Sequence, residues 1–216
     1  MIHVYNSLLI PEMAAAVEKD VDGIKWRSGW RSANNKLDNP HNQWHWHHSY
    51  FQDTTSMPAP TKETLLKLDT QYPNIMYLWK MIQKGIKQST GFKCDFTRAY
   101  ANAHTYGVDG LVHTDDGDYT AIYYPCSNWN IMWDGGTAFY NDAKTDIMHY
   151  NGYVHNRAIV FPAKMQHRAM PVTKTCFRLR SVIVFKCIVD VNDPSYAEQY
   201  YKDNKGAMET LTNTGT

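Results

Sequence analysis

Leu111-Val112-His113-Thr114-Asp115-Asp116-Gly117-Asp118-Tyr119-Thr120-Ala121-Ile122-Tyr123-Tyr124 holds two signals in one stretch. Its second half alternates small, β-branched and aromatic residues, which fits a half-buried or buried strand. Asp116-Gly117-Asp118 is turn chemistry between that strand and whatever precedes it. His113 and Asp115 are two apart, so on an extended chain they point to one side and can share a ligand only where the strand ends. Alone, an HxD triplet more often marks a surface pair or a satisfied core histidine than a metal site.

Outward from this stretch the same texture continues. Short β-branched and aromatic runs broken by Gly, Asp, Asn and Pro recur at Phe96 to Ala101, Leu111 to His113, Tyr119 to Tyr124, Thr137 to Tyr140, Ala158 to Phe161 and Leu179 to Ile188. That spacing predicts a mainly β fold, a barrel or sandwich of the jelly-roll kind. Upstream, Pro11 opens a short helix through Met13, Ala16 and Val17, and Gly23 leads to a strand-like Ile24 to Trp30. Thr61 caps a helix through Leu65, Leu66 and Leu68. A second helix begins at Pro73 and sets Ile75, Leu78, Trp79, Ile82 and Ile86 on one face before Gly91. These N-terminal helices buttress the sheet, which makes the class α+β with β dominant. Asn34 to Pro60 reads as a long surface excursion, with a lid over a binding site as its functional reading. A tail helix is expected near Ser195 to Lys202.

Composition sets the bounds. With 216 residues, 43% of them hydrophobic, the chain suits one domain: 1–92 as helical support and loop, 93–190 as the β core, 191–216 as a tail. A net charge of +1 gives no electrostatic reason to expect nucleic acid or an anionic membrane as partner. Cys94, Cys126, Cys176 and Cys187 lack metal-ligand or disulfide-scaffold spacing and read as reduced thiols. No apolar stretch approaches the roughly 20 residues of a membrane span, and no leader is recognised, so a cytoplasmic location is expected.

His167 lies just past the apolar run Ala158-Ile159-Val160-Phe161-Pro162, and Arg178 and Arg180 follow it. Two imidazoles and one carboxylate suit one face of an octahedral Fe(II), leaving the opposite face open. The chain here resembles the 2-oxoglutarate and Fe(II)-dependent dioxygenases, and among them the prolyl 4-hydroxylase-like group. The resemblance runs from about Phe96 to Lys186. His113-Thr114-Asp115 is similar to the group's HxD, Ile122-Tyr123-Tyr124 to its cofactor-facing strand, and Gly135-Gly136-Thr137-Ala138-Phe139 to its glycine turn and aromatic strand. His167-Arg168-Ala169-Met170-Pro171-Val172 is similar to its distal histidine followed by Pro-Val.

The resemblance implies a double-stranded β-helix, a jelly-roll or cupin-like core. It implies Fe(II) on His113, Asp115 and His167, 2-oxoglutarate as co-substrate, O2, and ascorbate as a possible addition. The reaction implied is hydroxylation of a C–H bond, with a prolyl residue of a peptide or protein as substrate. The group usually places its cofactor-binding Arg or Lys about ten positions after the distal histidine, and here Arg178 and Arg180 fall slightly later. Both are expected on one face of the last strand, so parity does not choose. Arg180 is favoured because it leads the apolar run Ser181 to Phe185. A buried far carboxylate of 2-oxoglutarate needs such a guanidinium. Tyr124 can add an O–H donor, with a place in the aromatic core as the equal alternative, and Tyr100 and Asn102 can line the same pocket.

Other polar groups carry less. His41, His45, His47 and His48 lack cysteine partners and a recognised spacing, and read as incidental histidines of a surface loop rather than a zinc site. His104, His149 and His155 read as structural, and Arg168 as meeting either a substrate carboxylate or a surface acid. A non-catalytic jelly-roll protein and a zinc-dependent hydrolase remain as rival classes.

Overall fold

The computed structural model describes residues 1–30, 44–52 and 58–190. The expected tail helix near Ser195 to Lys202 and the histidine at His41 lie outside the described residues.

Among the described residues, ten strands and three helices follow in order: β1 (His3–Tyr5), α1 (Pro11–Asp22), β2 (Arg27–Trp30), β3 (His45–Phe51), α2 (Lys62–Gln71), α3 (Pro73–Thr90), β4 (Cys94–His104), β5 (Tyr119–Tyr124), β6 (Thr137–Tyr140), β7 (Ile147–Asn151), β8 (Arg157–Pro162), β9 (His167–Ala169) and β10 (Arg180–Val189). They build a seven-stranded antiparallel sheet, β1-β8-β5-β10-β4-β3-β2, and a three-stranded one, β7-β6-β9. The arrangement is the double-stranded β-helix expected, with helices added at the N-terminal side.

The two-residue period of the strands decides what each face does. Ala121 and Tyr123 of β5, and Ile183, Phe185 and Cys187 of β10, join the helices in one buried cluster. There Trp79 of α3 meets Phe96 at 5.1 Å and Phe185 at 5.2 Å between ring centroids. The alternate residues Ile122, Tyr124, Val182 and Val184 face the other way and pack with Phe139 of the small sheet. Each fully buried side chain of this size contributes about 1.5–3 kcal/mol, so both faces of the large sheet are committed to burial. This explains why β5 and β10 read as nearly unbroken apolar runs.

The helices begin and end where their boundary residues dictate. Thr61 Oγ1 accepts the amide of Thr64 at 3.2 Å, and Gly91 takes the left-handed φ of 79° that closes α3. No helix among the described residues is long and apolar enough to cross a membrane. All four cysteines are free and buried.

Of the surface loop expected from Asn34 to Pro60, residues 34–43 and 53–57 lie outside the described residues, and the described middle is not a loop. Within it, residues 45 to 51 form β3, which pairs with β2 and with β4. His45 and His47 alternate inward and are buried, while Trp46 is exposed. The turn formers around this segment hid a strand whose inward positions are polar, and hydrophobic alternation is blind to such a strand.

Candidate metal centre and cavity

His113 and His167 are brought together by the backbone. The amide of His113 donates to the carbonyl of His167 at 3.0 Å, and the amide of His167 returns a bond to His113 at 2.9 Å. This reciprocal antiparallel pair places two distant residues side by side at the edge of the small sheet. Of the expected strand Leu111 to His113, only this bridge is present. Two residues on, the Asp115 amide is held by the carbonyl of Ala163 at 2.8 Å. Gly117 then turns with a φ of 83°, and a Cβ there would run into the carbonyl oxygen of Cys187. The turn therefore seats the His113–Asp115 segment directly against β10.

Each imidazole is oriented by its Nδ1, that of His113 on the carbonyl of Leu111 and that of His167 on the carbonyl of Met165, both at 2.8 Å. A carbonyl only accepts, so Nδ1 carries the proton and Nε2 is left as the donor atom for a metal. His113 Nε2 lies 3.4 Å from Asp115 Oδ1, and His167 Nε2 lies 3.2 Å from Oδ2. The ligand atoms of the three residues fall within 4.8 Å of one another. Two imidazole nitrogens and one carboxylate oxygen converging on a cavity fit an octahedral Fe(II) that keeps positions open to ligands.

Asp115 has two further partners. Thr120 Oγ1 donates to Oδ2 at 2.6 Å, and the Lys186 ammonium contacts the same oxygen. Burial alone would raise the Asp115 pKa, but Lys186 and the two imidazoles hold it well below the usual carboxylate range. Burial by itself would lower the Lys186 pKa, and Asp115 and Tyr100 raise it above the ordinary value. Burial pushes the His167 pKa down against the pull of Asp115. Lys186 escaped the sequence reading, yet it is in phase with Arg180, Val182 and Val184 on β10. A lysine at an inward position of an apolar strand was the available signal.

The cavity over the triad has a volume of about 530 Å³. Arg180, 1% exposed, lines it from the far end of β10. Its Nε and Nη2 donate to the carbonyls of Gly135 and Gly136. Gly136 leaves no room for a Cβ, which would meet the Asn151 carbonyl and the Tyr150 ring. The expected glycine turn is thus the cradle of the guanidinium. Arg178 is elsewhere. It precedes β10 in a bend, so the parity expected of it does not apply. Its guanidinium approaches Glu18 and Asp22 of α1 at 3.8 Å, beside a different cavity.

Tyr124 is fully buried and shares a 2.8 Å hydrogen bond with Thr137, which stands between it and the cavity. Tyr100 and Asn102 both line the cavity, and Asn102 Oδ1 meets His47 Nδ1 at 2.8 Å. Trp30 stacks on His47 at 4.0 Å and also lines the wall. His104, expected to be structural, is the register partner of Arg180 and lines the cavity too. His155 hydrogen-bonds the Pro125 carbonyl, His149 is exposed on β7, and Arg168 approaches Asp109 at 3.4 Å.

No protein-family model matches the sequence, and no curated protein matches it. Solved structures do match. A Pseudomonas putida prolyl-4-hydroxylase aligns with a TM-score of 0.55 at 14% identity, over 86% of this chain and 91% of its own. A Trichoplax adhaerens prolyl hydroxylase, solved in complex with a hypoxia inducible factor oxygen degradation domain peptide fragment, aligns at 0.59 and 13%, over 87% and 83%. A viral collagen prolyl hydroxylase from Paramecium Bursaria Chlorella virus-1, solved as a 2OG complex, aligns at 0.54 and 12%, over 86% and 94%. The chain has the fold of the prolyl hydroxylases and other 2OG-Fe(II) oxygenases.

Proposed function

We propose that this protein is a 2-oxoglutarate- and Fe(II)-dependent dioxygenase that hydroxylates a C–H bond, with residues 93–190 as its catalytic core. The observation that carries this reading is the joint placement of the triad and the buried Arg180 on one cavity. His113, Asp115 and His167 would hold the iron. Bound there, Fe(II) with 2-oxoglutarate and O2 supplies the oxidising chemistry, inserting one oxygen atom into the C–H bond while 2-oxoglutarate becomes succinate and CO2.

The chain's own residues bind, orient and exclude water. Arg180 would take the far carboxylate of 2-oxoglutarate, because a buried carboxylate needs a charge-assisted partner. Thr137 and, behind it, Tyr124 add hydroxyls next to that position. Ile122, Val182 and Val184 give the cavity an apolar floor between Arg180 and the triad, which keeps the ligand desolvated. Thr120 and Lys186 fix the Asp115 carboxylate, so that Oδ1 is turned toward His113. The finer reading, a prolyl residue of a peptide or protein as substrate, is supported by the prolyl hydroxylases of the same fold.

The test uses anaerobically purified protein given Fe(II), ascorbate and 2-oxoglutarate with a panel of proline-containing peptides. Succinate release with one added oxygen on a peptide is expected. Failure to bind 2-oxoglutarate by calorimetry, together with no succinate from any substrate, ends the reading. Tight zinc with hydrolysis of a peptide bond would replace it.

A further inference from the structure

β10 turns four residues toward the cavity, and the first and last of the four are cationic: Arg180 and Lys186. The Lys186 charge is already matched by Asp115. Directly across from Lys186 in the sheet register lies Arg98 of β4, which is 7% exposed and lines the same cavity. Its charge is poorly matched. Arg98 Nη1 donates one long bond, 3.4 Å, to Asp116 Oδ1, a carboxylate that is one-third exposed and reached by solvent. Arg98 Nε is buried with no hydrogen-bond partner among the described residues.

The guanidinium is also held in place. Its Cζ sits over the Tyr100 ring at 5.2 Å, a contact that attracts the charge without using its donors. A buried guanidinium with an orphan N–H is costly to keep, and its planar fork matches a carboxylate in two parallel bonds. Because Asp116 adjoins Asp115 and Lys186 touches Asp115, a group gripped by Arg98 lies beside the metal centre. Arg180 is at the other end of the strand, where the proposed function places 2-oxoglutarate. Lys164, the remaining cation of the wall, donates to the Asp115 carbonyl, so Arg98 is the cation left with donor capacity for a second molecule in the cavity.

We infer that Arg98 anchors a carboxylate of the substrate, so that the molecule oxidised carries a carboxylate close to its target carbon. This rests on the dioxygenase reading and narrows it. Within the prolyl class it favours free proline, a C-terminal prolyl residue, or a prolyl residue beside an aspartate or glutamate over a proline inside a neutral peptide.

The experiment compares acid and amide forms of matched probes: L-proline and its amide, a prolyl peptide with free and amidated C-terminus, and a peptide with Asp or Asn beside proline. Product formation is measured with the holoenzyme. In parallel, binding is measured by calorimetry to protein loaded with Zn(II) and 2-oxoglutarate. At least one pair is expected to favour the acid by about tenfold or more, as a charge-assisted pair would, and which pair does so identifies the source of the carboxylate. Arg98→Gln should erase most of that preference by raising the KM of the acid form, and Arg98→Lys should restore part of it. Asp116→Asn frees the guanidinium and should keep or sharpen the preference, whereas a merely structural Arg98–Asp116 pair would make both variants lose it alike. Circular dichroism and thermal melting check that each variant folds.

Equal handling of acid and amide in every pair, or a preference that survives Arg98→Gln, overturns the inference and leaves the dioxygenase reading standing. Failure to bind 2-oxoglutarate before any probe is added removes both.

Discussion

The Lys186 ammonium rests against the Asp115 carboxylate at the centre of the candidate metal site, and both side chains are buried. The pair has consequences for stability that differ from those of an ordinary ligand residue. Removing one member leaves the other as an uncompensated buried charge, which costs about 3–5 kcal/mol. Asp115→Ala is therefore expected to lose metal binding and also to be destabilised by about that amount. The double variant Asp115→Ala/Lys186→Met should regain most of the loss, as read by urea unfolding. A double variant as unstable as the single one would show that the two charges do not compensate each other.

Lys186→Met alone acts on the metal. It removes a positive charge next to the ion and leaves the Asp115 carboxylate without its partner in the metal-free protein. Both effects favour the bound state, so Zn(II) or Co(II) should bind more tightly, by about tenfold for each 1.4 kcal/mol of pairing released. Calorimetry on metal-stripped protein measures this. Weaker binding would mean that Lys186 chiefly orients the carboxylate.

Acidity should act in two stages. His45 is held down to about 4, first by burial and then by His47, Arg180 and His113, and burial lowers His104 as well. A histidine whose folded pKa is depressed stabilises the protein fully above its unfolded value of about 6.5. That stability drains away as pH falls toward the folded value. The Asp115 contribution is likewise present above the unfolded carboxylate value of about 3.9 and is lost only below it. The raised pKa of Lys186 keeps its share until pH exceeds the ordinary lysine value. Unfolding free energy should thus decline between about pH 6.5 and 4, and fall faster below that. His45→Gln should flatten the first stage.

The two arginines should separate cleanly. Arg180→Ala is expected to raise the dissociation constant for 2-oxoglutarate by about 30-fold or more, the cost of truncating a buried charge partner being about 2–5 kcal/mol. Arg178→Ala, whose guanidinium lies by Glu18 and Asp22 at the edge of α1, should change it by less than about threefold, since a pair at 3.8 Å and part-exposed contributes about 0–1 kcal/mol. Calorimetric titration of 2-oxoglutarate into each variant decides, and the reverse ranking would transfer the anchor to Arg178.

Gly117→Ala tests the turn behind the site. Its φ of 83° and the approach of the Cys187 carbonyl leave no place for a methyl group. The variant should lose about 1–3 kcal/mol of stability and weaken metal binding together, because the turn seats Asp115. An unchanged metal affinity would show that the Ala163 carbonyl alone holds the ligand segment.

Much of the fold was legible because local physics agreed with it. Thr61, Pro73 and Gly91 fixed helix boundaries through capping and missing donors, and the runs at residues 119–124, 137–140 and 179–188 carried enough β-branched and aromatic residues to declare strands, the last of which is β10 (Arg180–Val189). β3 was not legible, since its buried positions include two histidines, His45 and His47. β9 was too short, at three residues, to signal itself at all. Lys186 and Arg98 went unnoticed because a lysine or arginine inside an apolar run carries no spacing rule. Their meaning depends on which face of the sheet they share.

The sequence alone determined the donor types, the HxD spacing, the alternation that sorts each strand into two faces, and the glycines that permit the turns. These are local properties, set by periodicity and backbone sterics within a few residues. Only the tertiary structure decided that His113 and His167 exchange backbone hydrogen bonds and that Arg180 rather than Arg178 enters the cavity. It also decided that Lys186 neutralises Asp115 while Arg98 is left poorly matched. Those outcomes depend on register between strands far apart in the chain, where a slip of one residue would turn every side chain to the opposite face.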